Sequence, residues 1–317
     1  MFESIWEDIR QQFKMGNMVT RLVILNVSVF VFVNVVKLLI LIFNGWDTDS
    51  TAFQDFLHFF CMSSDIWFVL THPWVIFTHM FLHEGFMHIL FNMLFLYWFG
   101  RIVGGFIGDR KILPLYLLGG LVGAVVYYFS FNLLGYSVAS SGYALGASAA
   151  VMAVVVASGA IAPDYIVRML FLGDIKLKYI AAGFLVLDLI AVGNNQNTGG
   201  HFAHLGGAFF GWLFIGQLKN GNDLSIPVNN ILDKVIDFFR GLVGQARNRP
   251  KVIYRDPNLK KKTRTGGRSS SHRSSDPNKP GSSHQERLDS ILDKIKQSGY
   301  ESLSTEEKEF LFNASNK

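Results

Sequence analysis

The chain has 317 residues, 50% of them hydrophobic and 17% charged, with a formal net charge of +5. Charge so far below the roughly 25% of soluble domains, with a mean hydropathy of +0.28, argues against a soluble globular protein and for a membrane one. The single cysteine, Cys61, excludes an intrachain disulfide.

The charge is uneven. Residues 1–218 hold 10 Lys/Arg and 12 Asp/Glu, whereas residues 219–317 hold 19 and 12. An apolar body is therefore followed by a basic, hydrophilic tail. Residues 1–21 are polar and mixed in charge, so no signal peptide is expected there, and they read as a cytoplasmic segment. Six apolar segments follow, at 22–43, 79–99, 113–131, 145–162, 179–192 and 202–218. Crossing a bilayer takes about 20 helical residues, so these predict an all-α, six-helix transmembrane bundle over 22–218. A shorter apolar stretch, 66–77, is broken at His72-Pro73 and reads as part of a long first loop at the membrane surface.

Loop charges give the orientation. Arg10, Lys14 and Arg21 precede the first segment. Arg101, Arg110 and Lys111 follow the second, Arg168, Lys176 and Lys178 the fourth, and Lys219 the sixth. The alternate loops contain no Lys or Arg, which places both termini on the cytoplasmic side. Lys37, inside the first segment, is the discordant charge and needs a partner or a route to the interface.

Residues 219–283 read as a basic, largely disordered linker, rich in Lys, Arg, Ser, Gly and Pro beyond residue 246. Residues 284–317 predict a small helical hairpin. Leu288, Ile291, Leu292 and Ile295 fall on one helical face, Gly299 suits a stop, and Ser304-Thr305-Glu306-Glu307 has the capping-box pattern for a second helix. Its exposed apolar residues suit a cytoplasmic partner or a fold-back contact.

Polar residues inside the apolar segments are costly and need a reason. Ser148 lies in Gly146-Ala147-Ser148-Ala149, near the outer end of the fourth segment. His204 stands near the outer end of the sixth, followed by Gly207 and Gly211. Those two glycines, four apart, make a smooth stripe on which the Ala-rich fourth helix can pack, with His204 one turn earlier on nearly the same face. Both segments run outside to inside, so their depths match well enough for a Ser–His hydrogen bond. His88 and Asn92, on one face of the second segment, offer donors for a developing oxyanion beside the backbone N–H of Ser148. Taken singly, each residue reads as a helix-packing contact. Their alignment on three helices of one direction favours a site.

The run from His83 to Asn92 (HEGFMHILFN) resembles the second-helix signature of rhomboid proteases. Gly146-Ala147-Ser148-Ala149 resembles their GxSx motif, and Ala203-His204 with Gly207 and Gly211 resembles their AHxxGxxxG motif. The resemblance covers about residues 20–218. It implies an intramembrane serine endopeptidase that cleaves membrane-anchored proteins near the outer membrane boundary. In that reading Ser148 is nucleophile, His204 base, and His88 and Asn92 oxyanion donors. His83, Gly146, Gly207 and Gly211 are structural residues or line the cavity rim. Two positions depart from the pattern. Ala149 stands where many members have Gly, and its methyl is expected to crowd the oxyanion site. Met152 stands where an aromatic often supports the histidine ring. A dyad needs no acid, which leaves Asp188 as a hydrogen-bonded helix contact; the alternative makes it a third partner orienting His204.

Three other readings compete. A metalloprotease would draw on His79, His83, Glu84, His88, His201 and His204, but the HExxH spacing is missing, since His83 and His88 are five apart. A catalytically inactive relative would bind membrane clients. A transporter lacks support from inverted repeats. The expected setting is a multi-pass protein of the inner cell membrane. Its partners are the bilayer and transmembrane protein substrates, with no nucleic acid, no metal and no organic cofactor.

Overall fold

The structure is a computed structural model that describes residues 2–48, 50–135, 142–169, 173–193, 197–242, 288, 291–295 and 302–315. It divides into two units, residues 1–248 and 249–317.

In the first unit, α1 (Phe2–Met15) leads into α2 (Met18–Phe43), capped where Asn17 accepts from the Thr20 N–H at 2.9 Å. The first loop carries α3 (Ala52–His58), β1 (Met62–Ser63), α4 (Ile66–Thr71), α5 (Val75–Thr78) and a 3-10 turn (His79–Phe81). Next come α6 (Phe86–Ile107), α7 (Ile112–Leu134), β2 (Tyr143–Ala144) and α8 (Ser148–Ile161). A hairpin of β3 (Ile166–Met169) and β4 (Gly173–Lys176) leads to α9 (Leu177–Val192), α10 (Thr198–Lys219) and α11 (Ser225–Leu242). By length and composition, α2, α6 and the stretch Asp109–Leu134 can each cross a membrane; α8 is a shorter apolar helix.

Helix α8 is the centre of the bundle. Residues Ala149–Gly159 are all buried, and the helix packs against α6, α7, α9 and α10. A helix apolar on every face must be covered by protein or by lipid, and here protein covers it. Small residues make the enclosure tight. A Cβ on Gly123 of α7 would lie 2.5 Å from the Ala149 Cβ; Cβ atoms on Gly207 and Gly211 of α10 would lie 2.0 and 2.1 Å from the Ala149 and Ala153 carbonyl oxygens. The backbones of α8 and α10 therefore touch along the glycine stripe.

Polar ties fix the two ends. At one end the Met62–Ser63 pair hydrogen-bonds antiparallel to Tyr143–Ala144, and the Gly146 N–H donates to the His79 carbonyl at 2.9 Å. At the other, Lys111 pairs with Asp223, Arg110 with Asp233 at 3.1 Å, and Lys219 donates to the Ala160 carbonyl at 2.7 Å. That end gathers the α6–α7 junction and the ends of α8 and α10. Within the bundle, Asn26 is fully buried and donates to Tyr116 Oη at 3.3 Å, which itself donates to the Met80 carbonyl at 2.8 Å. Lys37 lies over the Phe53 ring at 5.1 Å, a cation–π contact that answers its discordant charge.

Several expectations need correction. The second apolar segment forms a helix at Phe86–Ile107, not 79–99. Residues 79–81 are a 3-10 turn, Leu82 is extended, and Gly85 caps the start, so the apolar run before it reflects burial of a loop. The helix continues until Gly108, at φ +91°. Two short strand pairs interrupt the all-α reading. Part of the stretch 219–283 is ordered: α11 occupies Ser225–Leu242, with an apolar face that includes Ile231, Val235 and Phe238. The rest of the linker, from residue 243, lies outside the described residues, as does Gly299.

In the second unit, residues 291–295 are helical and α12 spans Thr305–Ser315. Glu307 accepts from the Ser304 N–H at 2.8 Å, and Ser304 Oγ accepts from the Glu307 N–H at 3.3 Å, a reciprocal capping box. Lys294 pairs with Glu307 at 2.9 Å.

Candidate active site

Ser148 is the first residue of α8. The chain enters through Gly146, whose φ of +127° disfavours any side chain. A Cβ there would also lie 2.8 Å from His88 Cε1 and 2.9 Å from His88 Nε2. Gly146 thus lets the His88 ring lie against the backbone that delivers the serine. The first N–H groups of α8 have no partners within the helix, and they form the positive end of its dipole beside Ser148. The site has ready-made donors for negative charge before any side chain is considered.

His204 lies in α10, one turn before Gly207, and Gly207 touches Ala149, the neighbour of Ser148. Close helix contact therefore fixes the level of the histidine against that of the serine. Asp188, on α9 and 8% exposed, completes the histidine's surroundings. Its Oδ1 accepts from His204 Nδ1 at 2.9 Å and from His201 Nδ1 at 2.7 Å. As a carboxylate can only accept, both imidazoles carry their proton on Nδ1. In the neutral imidazole this leaves His204 Nε2 as the acceptor, and among the described residues no hydrogen bond engages it.

A cavity of about 890 Å³ joins these groups: Ser148, His204, Asp188, His88, Asn92 and Met152 all line it. Among the described residues no hydrogen bond joins Ser148 to His204. Asn92 donates to the His88 carbonyl at 2.8 Å with one amide hydrogen and keeps the other. His83 is 1% exposed and off the cavity lining rather than at its rim; its Nε2 accepts from the Ala147 N–H at 3.5 Å, and its ring meets His88 edge-on at 5.1 Å. Gly207 and Gly211 likewise serve packing, not the rim. The Ala149 methyl faces Gly123 of α7 and lies off the large cavity, lining a small pocket with Gly146 and Ser148. His79 is buried with Nδ1 on the Val75 carbonyl at 2.8 Å. Among the described residues, the group of three metal-capable side chains that converges is Asp188, His201 and His204, not the His79–His88 set.

The sequence model of the Rhomboid domain family matches residues 70–219. The chain carries a rhomboid domain. Residues 278–317 match a separate family of unknown function, DUF6576. The chain is 30% identical over 172 residues to Presenilin-associated rhomboid-like protein A, mitochondrial, of Danio rerio, covering 54% of this chain and 42% of that protein. It is 29% identical over 149 residues to Rhomboid protease GluP of Bacillus subtilis (strain 168), covering 47% and 27%. The match spans less than half the length of either relative. The rhomboid domain contains the whole cluster of Ser148, His204, Asp188, His88 and Asn92, and it is a helical membrane fold.

His201 enters the sequence reading only among the histidines of the metalloprotease alternative. Its place three residues before His204, on the same face of α10, was the available signal. Asp188 reads from sequence as a helix contact, and its hydrogen bond to His204 crosses between helices and is set by how α9 is rotated.

Proposed function

We propose that the protein is an intramembrane serine endopeptidase acting on membrane-anchored proteins. The observation that carries this is the shared cavity in which Ser148 heads a helix, opposite a His204 whose Nδ1 is held by Asp188 and whose Nε2 is free. In the proposed reaction His204 Nε2 takes the Ser148 proton as Oγ bonds to the substrate carbonyl carbon. The oxyanion is met by the N–H groups opening α8 and by His88 and Asn92. His204 then passes the proton to the leaving amine, and water hydrolyses the ester that remains. Asp188 acts as a positioning residue, holding the ring in the tautomer that can accept.

The same reading takes six membrane-crossing helices, with the Lys111, Lys219 and Arg110 end in the cytoplasm and the cavity open to the other side. The reading sets this in an inner cell membrane, with both termini cytoplasmic. Substrate reaches the cavity between α6 and α9, where Phe95 and Phe184 meet edge-on at 5.0 Å and the flanking Phe91 and Leu187 are exposed. The test is covalent labelling of the detergent-solubilised protein by a fluorophosphonate, compared with Ser148→Ala and His204→Ala. Labelling of the unmodified protein alone supports the reading. No labelling of a folded protein would favour a catalytically inactive relative that binds membrane clients.

A further inference from the structure

His201 is not needed to orient His204, yet it spends its Nδ1–H on the same Asp188 oxygen. One ligand atom from each of Asp188, His201 and His204 lies within 4.8 Å of those of the other two, and Asp188 Oδ1 stands 2.7 Å from His201 Nδ1 and 2.9 Å from His204 Nδ1. Two imidazole nitrogens and one carboxylate oxygen suit a borderline divalent ion such as Zn²⁺ or Co²⁺, and do not suit Mg²⁺ or Ca²⁺. Three protein ligands leave one position open, and since Asp188 and His204 line the cavity that position faces water. Tetrahedral binding at about 2.0–2.1 Å requires donors about 3.3 Å apart. The 2.7 and 2.9 Å hydrogen bonds would open by about half an ångström, within reach of side-chain rotation.

We propose that Asp188, His201 and His204 form an inhibitory site for a Zn²⁺-class ion. The inhibition follows from the tautomer. When Nδ1 of His204 gives its lone pair to a metal, its proton must leave and one must be taken up at Nε2, with no net change. Nε2 then donates instead of accepting, and it cannot remove a proton from Ser148. The binding site stands on geometry alone; the inhibition rests on the function proposed above.

The experiment uses the full-length protein in detergent. Co²⁺ is titrated into Ser148→Ala and into the same protein carrying His201→Asn, and the visible ligand-field bands are read. In parallel, fluorophosphonate labelling of the Ser148-containing proteins is timed with and without Zn²⁺. The expected result is bands saturating at one equivalent, with affinity lowered more than about tenfold by His201→Asn. Zn²⁺ should slow labelling of the unmodified protein and leave His201→Asn unaffected. Metal-free labelling reports that His201→Asn is folded; if it is not, Asp188→Ala replaces it in the titration and must lose the bands too. Absent bands, or equal affinity in the variant, overturn the site. If nothing labels without metal, the proposed function fails, while the Co²⁺ bands still decide the site.

Discussion

Replacing Gly207 by alanine tests whether the contact between α8 and α10 sets the chemistry. The new Cβ would stand 2.0 Å from the Ala149 carbonyl oxygen and 2.8 Å from its carbon, both backbone atoms that cannot rotate away. Relief requires α10 to move outward by about 1 Å at this turn, an overpacking cost of about 1–3 kcal/mol. The turn that moves carries His204, and the atom it moves from belongs to the residue beside Ser148. A misplacement of about 1 Å between reacting groups costs on the order of a hundredfold in rate. Gly211→Ala is the control, for its Cβ would meet the Ala153 carbonyl oxygen at 2.1 Å, one turn further from the cavity. Both variants should lower the unfolding temperature alike. Gly207→Ala should slow fluorophosphonate labelling about a hundredfold, and Gly211→Ala should slow it much less. Labelling of Gly207→Ala at the unmodified rate, or equal losses in both, would refute the reasoning.

Asp188→Asn should lower kcat by at least about tenfold with a smaller change in KM, since its main effect is on the tautomer of the base; unchanged kcat would make Asp188 a helix contact. Burial, with the nearby Glu84 charge, pushes the Cys61 thiol up to about 12. A raised value keeps the thiol protonated at neutral and mildly alkaline pH, so iodoacetamide should modify Cys61 only after denaturation. Burial opposes ionisation of Asp223, but Lys111 and Ser225 outweigh it and hold the carboxyl below its usual range. A depressed folded value means the stabilisation is complete above the unfolded carboxyl pKa of about 3.9 and is lost as pH falls through the folded one. Unfolding temperatures of the unmodified protein and Asp223→Asn should therefore differ near neutrality and converge in acid. Ser304→Ala should cost α12 about 1 kcal/mol, read as faster amide exchange over residues 305–315.

Much of this was legible because hydropathy and small-residue spacing are local signals. The apolar segments foretold α2, α7, α8, α9 and α10 to within a few residues, and Gly207 with Gly211 foretold the face that meets α8. Position along a helix axis was legible as well, which is how Ser148 and His204 could be set at similar depth. Rotation about the axis was not. Whether Asp188 turns toward His204 or a neighbour depends on how α9 packs, and no pattern within 177–192 encodes that. The start of α6 was misplaced because His79–Leu82 is apolar for burial rather than for helix. The α11 segment was missed because its apolar positions, spaced among Asp233, Lys234, Asp237 and Arg240, are diluted by the basic composition of the stretch around them.

The shortness of α8 ties fold to site. Its 14 residues rise roughly 21 Å, against a hydrocarbon core of about 30 Å. A helix that ends inside the membrane leaves N–H groups that lipid cannot satisfy, at several kcal/mol each. In the proposed membrane setting, the end of α8 is reached by Gly146, flanked by His88 and His83, and opened to a cavity lined by Asn92, Asp188 and His204. The groups that make a truncated helix tolerable are polar, concave and water-accessible, and these are the properties a serine needs in order to meet a peptide carbonyl. On this argument, closing the cavity with bulk at Val155 or Met152, both of which line it, should impair both functions together. Labelling should fall, and the bundle should lose stability because water no longer reaches the N–H groups that open α8.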